Sequence, residues 1–322
     1  MKPFFLLNAF LFGCLSFAQA ETNRPEPQIL LDEMSRASRH LNYDGVFIYS
    51  RNSKMETMRI IHKAGEDGSY EKLMSLTGSA REVIRDKEQV KCFFPDDKKV
   101  VVDKSRMGKL VSSYLPTPVK TISDYYHFEL IGEDRVAGMD AWVVNIRPND
   151  KFRYGYQLWI EKQSRLLLKS NLKNQLGMTL EQIMFTQLQI GNEIDDALLE
   201  PSVSGEGFAW VNNSKKEKLA QDNENKWKVT SMPDGFTMSD QEKEIMIMSQ
   251  MPIDHFVYSD GLAMVSVYIE KLKQQDNLKA GLSSFGGVNT YSTQVNGYQI
   301  TAVGEVPKAT VQLMANSVKS FH

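Results

Sequence analysis

The chain has 322 residues, comfortable for two packed domains and long for one core. Its 38 Lys and Arg against 40 Asp and Glu leave a formal charge of −2, so there is no basic footprint for nucleic acid. With 2 cysteines, Cys14 and Cys92, it carries no disulfide framework.

In chain order, Lys2, the apolar run from Phe4 to Phe17 and Ala18-Gln19-Ala20 read as a secretory signal over 1–20, cleaved after Ala20. The run falls short of the roughly 20 apolar residues that span a bilayer, so a soluble exported protein is expected. Leu11-Phe12-Gly13-Cys14 offers a rival reading, a lipoprotein anchored at Cys14. Phe12 is atypical for that signal, and the Ala-x-Ala site is better formed. Cys92, in Lys91-Cys92-Phe93-Phe94, reads as a small hydrophobe of a strand before it reads as a reactive thiol.

Residues 27–42 predict one amphipathic helix, with Leu30, Leu31, Met34, Ala37 and Leu41 at helical spacing. Beyond Asn42 the period changes to two. Tyr43 to Ser50, Glu56 to Lys63, Tyr70 to Thr77, Arg81 to Arg85, Gln89 to Phe94 and Lys99 to Asp103 predict strands. Leu115-Pro116-Thr117-Pro118 interrupts the series, because proline cannot sit in a central strand. Strands are expected again at Tyr126 to Asp134, Asp140 to Arg147, Tyr154 to Glu161, Leu166 to Lys173 and Thr179 to Ile190. Many short strands behind one helix suggest a large curved antiparallel sheet or open barrel. Pro201, Gly205 and Gly207 and the charged residues up to Lys226 mark a linker over 196–226. A second domain, 227–322, opens at Trp227 and Met232-Pro233-Asp234-Gly235-Phe236. It continues through a candidate strand at Glu244 to Met248. Asp254 to Ser259 and Leu262 to Glu270 flank Asp260-Gly261, which predicts a hairpin with a two-residue structural turn. Val288 to Gln294 and Gln299 to Gly304 add strands, and a helix with Val311, Met314, Ala315 and Val318 on its stripe follows Pro307.

Catalytic signatures are absent: no Gly-x-Ser-x-Gly, His-Glu-x-x-His, phosphate loop or dinucleotide fingerprint. His40, His62, His127, His255 and His322 share no ligand spacing, so neither metal nor cofactor is expected. Asp96-Asp97 and Asp195-Asp196 read as solvated loops, since sequence neighbours on a strand point apart. Apolar faces are the prominent feature. Ile48, Met58 and Ile60, then Trp142, Val144 and Ile146, then Leu158 and Ile160, either bury an ordinary sheet core or line a pocket for an acyl chain under helix 27–42.

Several stretches, in order and spacing, resemble the RseB/MucB family over essentially the whole mature chain. They are Leu41-Asn42-Tyr43-Asp44-Gly45-Val46-Phe47, Arg81-Glu82-Val83-Ile84-Arg85, Val257-Tyr258-Ser259-Asp260-Gly261-Leu262 and Thr301-Ala302-Val303-Gly304-Glu305-Val306-Pro307. Trp227 with Met232 to Phe236 resembles the entry to that family's second domain. The resemblance implies an α+β, mostly antiparallel protein. A half-open barrel over 21–195, like that of lipoprotein carriers and covered by a helix, would precede a smaller C-terminal α/β domain. It implies a non-enzymatic periplasmic regulator of envelope stress. Such a protein binds the periplasmic segment of a transmembrane anti-sigma factor, shields it from proteolysis, and is released by lipopolysaccharide or lipoprotein acyl chains. A homo-oligomer is compatible with it. A lipid or lipoprotein carrier is the alternative, but residues 227–322 would be surplus to it. A hydrolase with a dispersed site has no supporting pattern.

Overall fold

The computed structural model describes residues 24–66, 68–104, 115–212, 226–245, 252–272 and 280–321. The signal segment 1–20 with Cys14, most of the charged part of the linker, residues 246–248 of the expected strand and His322 lie outside them. Among the described residues, no helix is long and apolar enough to cross a membrane.

Helix α1 (Pro27–His40) starts on a proline, whose fixed φ suits the first turn, and ends with Arg39 and His40 facing the negative end of its dipole. Its stripe of Leu30, Leu31, Met34 and Ala37 is buried. At Leu41 the backbone turns extended, and a meander begins: β1 (Tyr43–Arg51), β2 (Lys54–Gly65), β3 (Gly68–Ser75), β4 (Glu82–Arg85), β5 (Gln89–Phe94) and β6 (Lys99–Lys104). After the proline loop and a 3-10 turn at Val119–Ile122 comes a second meander. Its strands are β7 (Tyr126–Val136), β8 (Met139–Pro148), β9 (Gly155–Glu161), β10 (Leu167–Lys173) and β11 (Thr179–Ile190).

The two meanders join where β1 pairs antiparallel with β11. Gly45 is needed at this join: a Cβ there would meet side-chain carbons of Leu188 and Phe185 at 2.7 Å. The resulting sheet has 12 strands in the order β12-β6-β5-β4-β3-β2-β1-β11-β10-β9-β8-β7. Among the described residues its outer strands do not pair with each other, and the barrel is half open, as expected. One outer strand departs from expectation. β12 (Ala209–Asn212) lies inside the segment read as linker, yet pairs parallel with β6. Trp210 there packs edge-on against Phe93.

The smaller domain has a six-stranded sheet in the order β14-β15-β16-β19-β18-β17. These are β14 (Thr237–Ile245), β15 (Pro252–Ser259), β16 (Met264–Lys271), β17 (Gly281–Phe285), β18 (Val288–Val295) and β19 (Tyr298–Gly304). The strand expected from Glu244 is the end of the longer β14. Helix α2 (Lys308–Asn316) buries Val311, Met314 and Ala315 against Phe256, Val265, Val267 and Ile300. A short pair, β13 (Trp227–Val229) with β20 (Val318–Ser320), ties the domain's two ends together.

The hairpin between β15 and β16 also differs from its sequence reading. The strands close at Ser259↔Met264, leaving the four-residue loop Asp260-Gly261-Leu262-Ala263. The Asp260 carboxylate explains the longer loop, because its Oδ1 accepts from the backbone N–H groups of Leu262 (2.9 Å) and Ala263 (2.7 Å). Gly261 alone takes the left-handed conformation, φ +100°. Leu262 leaves the strand to pack among Leu30, Ile122 and Val144 of the large domain.

Candidate binding site

Strand registers decide which apolar residues share a face. Trp142 pairs with Ile160, Val144 with Leu158 and Ile146 with Tyr156. Leu158 continues through Ser170 and Ile183 to Tyr49. On the other side of the β1–β11 join, Phe47 pairs with Met58 and Gly45 with Ile60. Seven of the eight candidate lining residues therefore occupy the inner face, the one under α1. Ile48 is the exception. It pairs with Thr57 and Met184, one step out of phase with Phe47, so it lies half-buried on the opposite face.

The inner face is packed. Val144, Ile146, Leu158 and Ile160 are 0% exposed, Ile60 1% and Met58 5%, while Trp142 is partly buried. Leu30, Leu31 and Met34 of α1, with Leu115, Val119 and Ile122, fill the space above β8 and β9. The gap bounded by Ser38, Tyr43, Leu168, Ile183 and Phe185 has room for about one water. Among the described residues, the place above β8 and β9 is taken by Leu30, Leu31 and Met34.

The helix is seated by polar contacts along its flanks. Asp32 Oδ1 accepts from the Val119 N–H at 2.7 Å, and Ser35 Oγ donates to Leu115 O at 3.3 Å. Arg39 donates to Ser35 Oγ at 2.8 Å and to Thr117 Oγ1 at 3.2 Å, and Arg165 Nε to Glu33 Oε2 at 2.8 Å.

The small domain meets one end of the inner face at two polar joints. At the first, Arg153 is wholly buried, and its Nε donates to Asp260 Oδ2 at 2.5 Å. Its other nitrogens reach the Asp150 carboxylate and the Asp234 carbonyl. Tyr125, Phe236 and Tyr126 surround the guanidinium at 4.8, 5.3 and 5.8 Å. Tyr126 donates its hydroxyl to Asp260 Oδ2 at 2.9 Å. Burial first, and the Asp260 charge second, push this phenol well above its usual range, so it remains a donor.

At the second joint, Tyr156 of β9 donates to Glu305 Oε2 at 2.9 Å, and Gly287 N–H of the small domain donates to Glu181 Oε1 of β11 at 2.9 Å. Tyr49 also donates to Glu181. Arg51 stacks over Phe285 at 3.9 Å. Burial first and the charge of Glu181 second push Glu305 up to about 7. Between the joints, Asn289 Nδ2 donates to Tyr154 Oη at 3.0 Å, and Thr310 Oγ1 donates to Phe152 O at 2.6 Å.

Other polar residues singled out in the sequence have structural surroundings. His62 stacks on Tyr43 at 4.6 Å with Nδ1 2.9 Å from Leu41 O, and burial lowers its pKa. His255 stacks on Tyr268. Asp195 caps a 3-10 turn and Asp196 pairs with Lys63. Cys92 is half-buried on β5. Among the described residues, no three His, Cys, Asp or Glu side chains are grouped to hold a metal ion.

Sequence reading missed both joints. Arg153 stands in Phe152-Arg153-Tyr154-Gly155-Tyr156, an aromatic-flanked cation that resembles an ordinary turn sequence until the second domain covers it. Glu305 and Asp260 lie in the stretches quoted for the family resemblance, but no periodicity marks them as interdomain contacts.

Comparison with known proteins covers both domains. A model of the MucB/RseB N-terminal domain matches residues 26–203, and one of the MucB/RseB C-terminal domain matches residues 221–319. The sigma factor AlgU regulatory protein MucB of Pseudomonas aeruginosa is 29% identical over 316 residues, 96% of this chain and 95% of the relative. The sigma-E factor regulatory protein RseB of Escherichia coli K12 is 27% identical over 328 residues, 99% of this chain and 98% of the relative. Among solved structures, the complex of Pseudomonas aeruginosa MucA and MucB aligns with TM-score 0.73 and 28% identity, covering 92% of this chain and 100% of that one. MucB in complex with MucA(peri) aligns with TM-score 0.72 and 27% identity, again over 92% and 100%.

Proposed function

The chain belongs to the MucB/RseB family, and from that premise we propose that it regulates an envelope-stress sigma factor by binding the periplasmic segment of an anti-sigma factor. It acts in the periplasm, as a binding protein and not as an enzyme. The division into a large domain over 21–195, a linker over 196–226 and a small domain over 227–322 is part of this reading, with β12 as an outpost of the large sheet. So are cleavage of the leader after Ala20, shielding of the partner from proteolysis, and release by lipopolysaccharide or lipoprotein acyl chains.

The observation that carries this reading is the buried seam. Arg153 of the large domain is 0% exposed because Asp234 and Asp260 of the small domain close over it. A seam of this kind makes the two domains one body and supports a function that needs both. A lipid carrier needs only the sheet and its helix, and would leave the small domain without a task. The apolar inner face supports lipid sensing as part of regulation, with α1 and the small domain as the covers a lipid must displace.

The test is a pull-down of the full mature chain from detergent-solubilised envelope. Recovery of a membrane-anchored anti-sigma factor, lost on adding dispersed lipopolysaccharide, is the expected result. Recovery of lipoproteins alone would replace the regulator with the carrier.

A further inference from the structure

The two joints of the seam differ in electrostatic character. At the first, the Arg153 cation sits between the carboxylates of Asp150 and Asp260, so opposite charges hold the domains together. At the second, two carboxylates from different domains flank Gly287. A Cβ on that glycine would lie 3.1 Å from Glu305 Cγ and 3.5 Å from Glu181 Oε1. Like charges brought this close in a half-buried place cannot both ionise without cost.

We propose that a proton carried by the Glu181–Glu305 pair holds the small domain closed over its end of the inner face. Its loss loosens this side of the seam while the Arg153–Asp260 joint stays shut as the pivot. The inference stands whether or not the partner or lipid assignments hold.

The groups around the pair assign the proton. From β1 come Tyr49 and Arg51, from β11 Glu181, from β9 Tyr156, and from the residue just before it Tyr154. On the small domain's own side the nearest cation in sequence, Lys308, is exposed. Glu181 accepts two donors, the Tyr49 hydroxyl and the Gly287 N–H. Glu305 accepts one, from Tyr156. Arg51 is the cation that offsets the pair, and it is engaged over Phe285. The proton therefore resides on Glu305.

The direction of the pH effect follows. Closed, Glu305 titrates at about 7, against an ordinary value of 4.5 once open to water. Between those values the closed form holds a proton that the open form lacks. Closure is strongest at or below pH 4.5, weakens as pH rises towards 7, and changes no further above that. The ratio of closed to open changes by at most on the order of a hundredfold across the window.

The experiment is amide exchange of the full mature chain from pH 5 to 8, each rate corrected for its intrinsic pH dependence. Peptides covering 179–183 and 286–292 report the second joint, and peptides covering 126 and 260–263 report the pivot. Protection at the second joint should fall about tenfold or more as pH rises, with the pivot unchanged. Glu305→Gln removes the charge and keeps an amide donor, so protection should become pH-independent and stay high. If Glu305→Gln does not fold, Glu181→Gln should weaken the pH dependence at this joint without abolishing it, since it removes the like charge but leaves Glu305 buried. A flat wild-type profile, a pH dependence that survives in folded Glu305→Gln, or one undiminished in folded Glu181→Gln overturns the proposal. So does a Glu305 side chain that titrates below about 5 by carbon NMR.

Discussion

At the scale of single residues, the seam turns on Asp260. Its carboxylate accepts from Arg153 and Tyr126 across the domains and also caps its own four-residue loop, where the Asp260-Gly261 pair alone predicts a two-residue turn. Asp260→Ala should destabilise the protein by about 3–5 kcal/mol, because it leaves the buried guanidinium short of a counter-charge. Urea unfolding of the single variants and of Arg153→Met/Asp260→Asn checks this. The double variant should lose less than the sum of the singles, since it removes both charges together. Gly261→Val should cost about 1–3 kcal/mol from its backbone conformation alone. A Cβ there would also lie 2.9 Å from Ile122 Cγ2 of the large domain, so the loss includes domain docking. Unchanged unfolding of this variant would mean that the loop adapts freely. Neither role was legible beforehand, because a turn sequence reports its own backbone and says nothing of what packs across it.

At the scale of elements, the strands and the leading helix were legible because period two and period 3.6 survive wherever one face is buried. The exceptions have local causes. β12 is four residues, Ala-Trp-Val-Asn, too short to display a period, and its pairing partner lies more than a hundred residues earlier. Ile48 belongs to the outer face, which the pattern does not reveal, because β1 is apolar on both faces through Val46, Phe47, Ile48 and Tyr49 and only the register separates them. The candidate face itself was legible, and its state was not. α1 fills it, so Ile60→Asp should fail to fold, burying a charge with no counter-ion; a folded variant by circular dichroism would mean the face hydrates. Asp32→Ala/Arg39→Ala leaves the apolar stripe intact and removes the contacts of α1 to Val119 and Thr117 at a cost of about 1–3 kcal/mol. It should raise uptake of an apolar fluorescent dye severalfold. No rise in uptake would remove α1 from the role of lid.

At the scale of the whole molecule, the two domains are less independent than a charged linker suggests. Ending the chain at 226 exposes the buried Arg153 and Tyr126 hydroxyl and uncovers the apolar site of Leu262. The large domain alone should therefore keep its sheet but melt lower and lose partner binding, and Arg153→Met should recover part of the melting temperature. A truncated domain as stable as the full chain would make the seam a mere contact. The order of the large sheet has another consequence, for the birth of the protein. The first meander can form hairpin by hairpin as the chain emerges, but β1 pairs with β11, Tyr43 with Ile190. Until that distant strand arrives, β1 is a bare edge with unpaired backbone groups, and α1 has only part of its seat. Such long-range closure is slow, and the waiting edge invites pairing with other chains. For a chain that emerges from its N-terminus, the hazardous interval lasts until roughly three-fifths of it is out, and holding chaperones should be most needed during that delay.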